Sequence, residues 1–159
     1  MASLDHKYNV YLGGPIFGRT DSDCKDWRNK ATEVLSEVAN TIDPMRRDYR
    51  GRTDMPGIDV EIVELDKHDI DESDVLLVYY DKPSVGTSME ILYAYNHMKY
   101  IVVVNASGQK VVSPWLTYHA SVMFDNLDDA LEHLKEVDVL SLDTSLIEEV
   151  GIWPEDEKV

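Results

Sequence analysis

The chain has 159 residues, of which 43% are hydrophobic and 29% charged, a balance that suits one ordinary globular domain and excludes a disordered chain. Its 15 Lys and Arg against 31 Asp and Glu give a net charge of −16, which excludes a binder of nucleic-acid polymers and a protein docked on an anionic membrane. The single cysteine, Cys24, excludes an intramolecular disulfide and a cysteine-built zinc site. With no basic and apolar leader and no apolar run of bilayer length, the expected location is the cytoplasm.

Tyr8 to Leu12 is a short run of β-formers that stops at Gly13-Gly14-Pro15, the pattern of a buried strand entering a loop. Trp27, Ala31, Val34, Leu35 and Val38 recur at spacings of three and four and predict an amphipathic helix over Asp26 to Ala39. Thr41 to Pro44 reads as a short strand stopped by proline, and Met45 to Ile58 as a long polar loop. A helical pattern follows from Asp59 to Ile70. Val75 to Tyr80 is almost continuously apolar, as a central parallel strand covered on both faces must be. Ser84 to Thr87 opens a helix expected over Ser88 to Met98, and Tyr100 to Val104 is the next buried strand. A short strand near Phe124 and a helix over Leu127 to Leu134 complete the pattern.

Strands alternating with helices of this length predict an α/β fold, a three-layer sandwich with a flavodoxin- or Rossmann-like parallel sheet flanked by helices. The domain is placed at residues 1–135. Residues 136–159 hold eight acids and one base and read as an acidic C-terminal helix or tail packed on the domain or trailing from it.

Ligands of open parallel sheets sit beyond the carboxyl ends of the strands. Three junctions qualify: Gly13 to Phe17, Asp43 to Gly51 and Asp81 to Glu90. Gly13-Gly14-Pro15-Ile16-Phe17-Gly18 is neither a dinucleotide fingerprint nor a P-loop; its glycine pair either shapes a tight turn or lets a ligand approach the backbone. Glu90 is followed by the apolar Ile91, Leu92 and Ala94, so it is either a capping or surface acid or a carboxylate kept at the edge of the core for use. Asp66 and Asp69 share a helix face with Ile70. The His and Asp residues show no metal-ligand spacing, so no metal is expected.

Gly13-Gly14-Pro15-Ile16-Phe17 after the first strand, Asp66-x-x-Asp69-Ile70-x-x-Ser73-Asp74 before an apolar strand, and Ser84-Val85-Gly86-Thr87-Ser88-Met89-Glu90-Ile91-x-x-Ala94-Tyr95 opening the next helix stand in a specific order. On these motifs the chain resembles the nucleoside 2-deoxyribosyltransferase family, over Tyr8 to Ala130 and most specifically over Asp66 to Ala94. The resemblance implies that Glu90 is a nucleophile toward the anomeric carbon of a 2-deoxynucleoside, that Asp66 protonates the departing base, and that Tyr11 positions the Glu90 carboxylate. It implies that Phe17 stacks on the base and that Asp48 stands where the family reads the base edge with a glutamine. Gly14, Asp69, Gly86, Ser84 and Ser113 complete the expected binding residues.

Ser84 opens an alternative. Several transferases place an aspartate there for the sugar 5′-hydroxyl, whereas the related 2-deoxynucleoside 5′-monophosphate N-glycosidases place a serine there for phosphate. Ser113 likewise resembles a serine lent to that pocket by a neighbouring subunit. Against the hydrolase, Pro15 and Phe17 stand where those enzymes carry a serine and an arginine. Only Arg19, Arg46, Arg47 and Arg50 offer local cations to an anionic ligand.

The expected activity is therefore transfer of 2-deoxyribose between nucleobases through a covalent glutamate ester. The rivals are monophosphate hydrolysis and non-catalytic nucleotide binding. The implied partners are small-molecule nucleosides or nucleotides, free nucleobases and further copies of the chain in a homodimer or larger homo-oligomer, with no cofactor. Crowding of Asp66, Asp69 and Glu90 is expected to keep a proton on the acid.

Overall fold

The computed structural model describes residues 6–142. Five parallel strands, β1 (Tyr8–Gly13), β2 (Ala39–Ile42), β3 (Val75–Tyr80), β4 (Tyr100–Asn105) and β5 (Val122–Phe124), form one sheet in the order β2-β1-β3-β4-β5. Between them run α1 (Asp21–Leu35), α2 (Ile58–Asp71), α3 (Val85–Asn96) and α4 (Pro114–His119), and α5 (Leu127–Glu136) follows β5. The three-layer expectation holds, because successive strand residues serve opposite faces. Val10, Leu12, Val75, Leu77, Val102 and Val104 pack with Trp27, Ala31 and Leu35 of α1 and Leu131 and Leu134 of α5. Tyr11, Leu76, Val78, Ile101 and Val103 pack with Ile70 of α2, Ile91 and Ala94 of α3 and Leu116 of α4.

The strand order places the site. From β1 the chain goes first to one edge, at β2, and then crosses to the other side, at β3. Tyr11 accordingly pairs with Ile42 on one flank and Leu76 on the other. This reversal opens a crevice beyond the carboxyl ends of β1 and β3, where sheets of this type bind ligands. Tyr11 belongs to the face covered by α2 and α3.

Helix boundaries differ from the periodic reading for local reasons. α1 starts at Asp21 instead of Asp26, because Thr20 and Asp23 form a capping box that needs no apolar residue. It ends at Leu35, and Ala39 already belongs to β2. α3 starts at Val85 under the Ser84 cap, whose hydroxyl accepts from the Thr87 amide at 3.4 Å. α4 went unpredicted: six residues are too few for a 3.6-residue pattern, although Ser113 as cap and Pro114 at the first position are its signature. A short 3-10 turn at Pro44–Arg46 interrupts the expected loop. Of the acidic C-terminal segment, Val139 is buried against the α1/α5 side of the sheet, and residues 143–159 lie outside those described. Among the described residues no helix is long and apolar enough to cross a membrane.

Candidate active site

The end of β1 and the second turn of α3 meet through one hydrogen bond. Tyr11, fully buried, donates its hydroxyl to Glu90 Oε1 at 2.8 Å. Gly13 faces the carboxylate: a Cβ there would stand in ordinary contact, 3.5 Å from Glu90 Oε2. Burial pushes the Glu90 pKa up to about 8, and the charge of Asp66 adds to the rise. The Tyr11 hydrogen bond and the charge of Arg28 oppose it. Burial, Glu90 and Asp66 together hold the Tyr11 phenol well above its ordinary value, so it remains a donor.

Asp66 reaches the same place from α2. Burial raises its pKa above the ordinary value, although the nearby Arg47 works against that. Asp69, one turn on, behaves differently. Burial would raise it too, but Arg47 and Arg46 donate to it at 2.6 and 2.7 Å and carry its pKa below the ordinary value. The three carboxylates do crowd, and the Asp69 charge helps to raise Asp66, but their shifts divide: Asp66 and Glu90 rise and Asp69 falls. Asp69 is an ionised anchor for two arginines, and the proton belongs to Asp66 and Glu90.

Glu90, Asp66 and Gly86 line one open cleft of about 480 Å³ between α2 and α3, together with Ile62, Met89 and Tyr93. Ser84 and Ser113 line a second cavity of about 390 Å³ between α3 and α4, with Thr87, Trp115 and His119. Met89 and Leu92 border both. Both volumes fall within the range of small-molecule sites. The structure therefore gathers Tyr11, Glu90, Asp66 and Gly86, and separately gathers the two serines, each of which caps a helix.

Comparison with known proteins identifies the family. Residues 7–107 match the family described as nucleoside 2-deoxyribosyltransferase like. The chain belongs to that family. Among solved structures, the 2-deoxyribosyltransferase of Bacillus psychrosaccharolyticus is 17% identical with a TM-score of 0.61, over 87% of this chain and 95% of that one. A conserved protein from Enterococcus faecalis V583 is 15% identical with a TM-score of 0.64, over 82% and 98%. The CMP N-glycosidase BcmB of Clostridium botulinum is 18% identical with a TM-score of 0.54, over 80% and 98%. No curated protein matches the chain by sequence. At these identities the neighbours establish the shared fold.

The remaining candidates are placed less centrally in this deoxyribosyltransferase-like domain. Phe17 is 79% exposed and lines neither cavity. Asp48 is held by Arg50, which donates to both its oxygens at 3.0 and 2.7 Å and lowers its pKa to about 2. Gly14 fits close against protein: a Cβ there would stand 3.0 Å from the Trp27 ring and 3.1 Å from the Tyr79 carbonyl.

All four arginines that the sequence offers as local cations have acidic partners. Arg19 pairs with Asp81, Arg46 with Asp69, Arg47 with Asp66 and Asp69, and Arg50 with Asp48 and Asp21. Sequence reasoning missed Arg28, which is completely buried behind Gly14. Its position on the apolar stripe beside Trp27 was the available signal. Among the described residues no three His, Cys, Asp or Glu side chains cluster as metal ligands.

Proposed function

We propose that the protein cleaves the N-glycosidic bond of 2-deoxynucleosides and passes the deoxyribosyl group to a second nucleobase through a covalent ester on Glu90. One observation carries this reading: the hydrogen bond from Tyr11 to Glu90 aims a half-buried carboxylate into the cleft that also holds the raised-pKa Asp66. In the first half-reaction a Glu90 carboxylate oxygen bonds to C1′ of the sugar. The C1′–N bond breaks, its electron pair stays on the base nitrogen, and Asp66 gives that nitrogen its proton. In the second, a nitrogen of the incoming base attacks C1′, Glu90 leaves as carboxylate, and the base's proton returns to Asp66. Tyr11 holds the carboxylate while it is charged.

Hydrolysis of deoxynucleoside 5′-monophosphates is the second reading, favoured by Ser84 and Ser113 lining one cavity beside the cleft. The pairing of each of those four arginines with an acid weighs against it, because a phosphate would have to displace an existing ion pair. Assembly into a homodimer or larger oligomer belongs to the same proposal. The α3/α4 face leaves Val85 79%, Trp115 73% and Met89 68% exposed, and a second copy on that face would close the serine cavity.

The test is to incubate single deoxynucleosides, and separately the four deoxynucleoside monophosphates, with a second free base and to separate the products by chromatography. An exchanged nucleoside is expected. Free base with deoxyribose 5-phosphate from the monophosphates, and no exchange from nucleosides, would replace transfer by hydrolysis. Retained turnover in Glu90→Ala would remove the nucleophile.

A further inference from the structure

The most deeply buried cation among the described residues lies behind the cleft and not in it. Arg28, on α1, is completely buried. Its Nη1 donates to the Cys24 carbonyl at 2.6 Å, Nη2 to the Gly14 carbonyl at 3.1 Å, and Nε to the Leu12 carbonyl at 3.2 Å. Nε also lies 3.6 Å from Asp43 Oδ1, and the guanidinium sits 4.6 Å above the Trp27 ring. Taking a guanidinium out of water is costly, so a helix that only needed to pack on a sheet would do better with an apolar residue here.

The partners of Arg28 are not scattered. Leu12 and Gly14 flank Gly13, the residue that faces the Glu90 carboxylate. Asp43 ends the β2 segment and accepts from the Met45 amide at 2.8 Å, capping the turn that carries Arg46 and Arg47 to Asp69 and Asp66. One guanidinium therefore ties the corner behind the nucleophile to the turn behind the acid.

Building on the reading of Glu90 as nucleophile, we propose that Arg28, with Asp43 as its counter-ion, is a positioning residue that fixes the Gly13-Gly14 corner behind Glu90 and keeps a positive charge beside that carboxylate. The groups that act on Glu90 are Tyr11 from β1, Asp66 from α2 and Arg28 from α1. Asp66 disfavours its ionisation, and the other two favour it. Asp43 offsets part of the Arg28 charge, so the two members of the pair have opposite effects on Glu90. A guanidinium whose charge Asp43 neutralised in full, or which lay too far from Glu90 to act on it, would leave the titration of Glu90 unchanged.

The test follows the Glu90 side-chain carboxyl by ¹³C NMR in the full chain labelled with ¹³C-glutamate, its signal identified by loss in Glu90→Gln. Arg28→Gln should raise the titration midpoint by about 0.5–1 pH unit, the effect of removing one partly screened charge. Arg28→Lys keeps the charge and loses the fork, so the midpoint should stay near that of the parent while kcat falls about tenfold. Asp43→Asn keeps the cap and removes the offsetting charge, so the midpoint should fall. Unchanged or same-signed midpoints in Arg28→Gln and Asp43→Asn would overturn the proposal. Should Arg28→Gln not fold, the direction of the Asp43→Asn shift decides alone. The titration needs no turnover, so an active Glu90→Ala enzyme would remove the nucleophile reading while leaving this measurement intact.

Discussion

Asp66 and Asp69 stand one turn apart on α2 and share Arg47 unequally, its Nη2 lying 2.6 Å from Asp69 Oδ2 and 3.4 Å from Asp66 Oδ1. With Arg46 also bound to Asp69, that carboxylate falls below the ordinary range despite its burial, while for Asp66 burial outweighs the longer contact and the pKa rises. Opposite shifts follow for two variants. Arg47→Gln removes the main opposition to the rise, so Asp66 should hold its proton to still higher pH. Asp69→Asn removes a repelling charge and frees Arg47 for Asp66, so the Asp66 pKa should drop. The acid limb of kcat/KM against pH should move up in the first and down in the second, each by about 0.5–1 unit. Shifts of the same sign would rule out Asp66 as the group that sets that limb.

A bell-shaped profile is expected because Asp66 and Glu90 work as a pair holding one proton. Below the raised Asp66 value both are protonated and the nucleophile is lost. Above about 8, where Glu90 ionises, both are charged and the acid is lost. The upper limb therefore belongs mainly to Glu90, although Asp66 is the residue that donates. Tyr11→Phe deletes the hydrogen bond that favours the Glu90 carboxylate, so the upper limb should move to higher pH. The maximum should fall about 10–100-fold, as expected for a charge-assisted hydrogen bond. An upper limb that stays still or moves down would separate Tyr11 from the nucleophile.

Much of this was legible in residue order. Val75–Tyr80 and Tyr100–Asn105 are apolar enough to be nothing but central strands, and the expected and observed spans agree to within a residue. The apolar neighbours of Glu90 left it open between a surface acid and a core-edge carboxylate; the family motif decided for the latter, and Asp66 came with it. What could not be read was which charges pair. Arg46 and Arg47 are over 20 positions before Asp69 in the chain, and no periodicity links a loop to a helix face. Arg28 was half legible: the helical wheel puts it on the apolar stripe with Cys24, Ala31 and Leu35, but only the fold brings the Leu12 and Gly14 carbonyls to it. The split of Ser84 and Ser113 from the Glu90 cleft depends on where α4 packs, an element too short to announce itself.

Stability should carry the mark of Glu90. Its folded pKa of about 8 lies above the ordinary 4.5, so folding takes up a proton between those values. The stability from this group is complete below pH 4.5 and is lost as pH rises through 8. Glu90→Gln has no such loss. Thermal unfolding should show the variant gaining on the parent between pH 5 and pH 9 by about 2–4 kcal/mol, less than the full conversion of the shift because the side chain keeps an open side toward the cleft. A difference that stays constant over that range would mean that Glu90 ionises normally.

Two glycines of the motifs should respond oppositely to the same small change. At Gly14 a methyl group would meet the Trp27 ring at 3.0 Å and the Tyr79 backbone carbonyl at 3.1 Å, with the buried Arg28 a further 0.5 Å or less away at 3.5 Å. The carbonyl cannot yield without moving β3, and Trp27 is held by stacking on Tyr79 at 5.2 Å. Gly14→Ala should therefore destabilise the fold by about 1–3 kcal/mol, as overpacking does. Gly86 lies in the first turn of α3, with nothing within 4 Å of a Cβ and the cleft beside it. Gly86→Ala should leave stability equal or up to about 1 kcal/mol higher, since alanine is the better helix former. Its cost should fall on KM, because the methyl group projects beside the space shared with Glu90 and Asp66. Urea unfolding and steady-state kinetics on both variants separate the two. A Gly14→Ala protein as stable as the parent would show that the corner behind Glu90 is not close-packed.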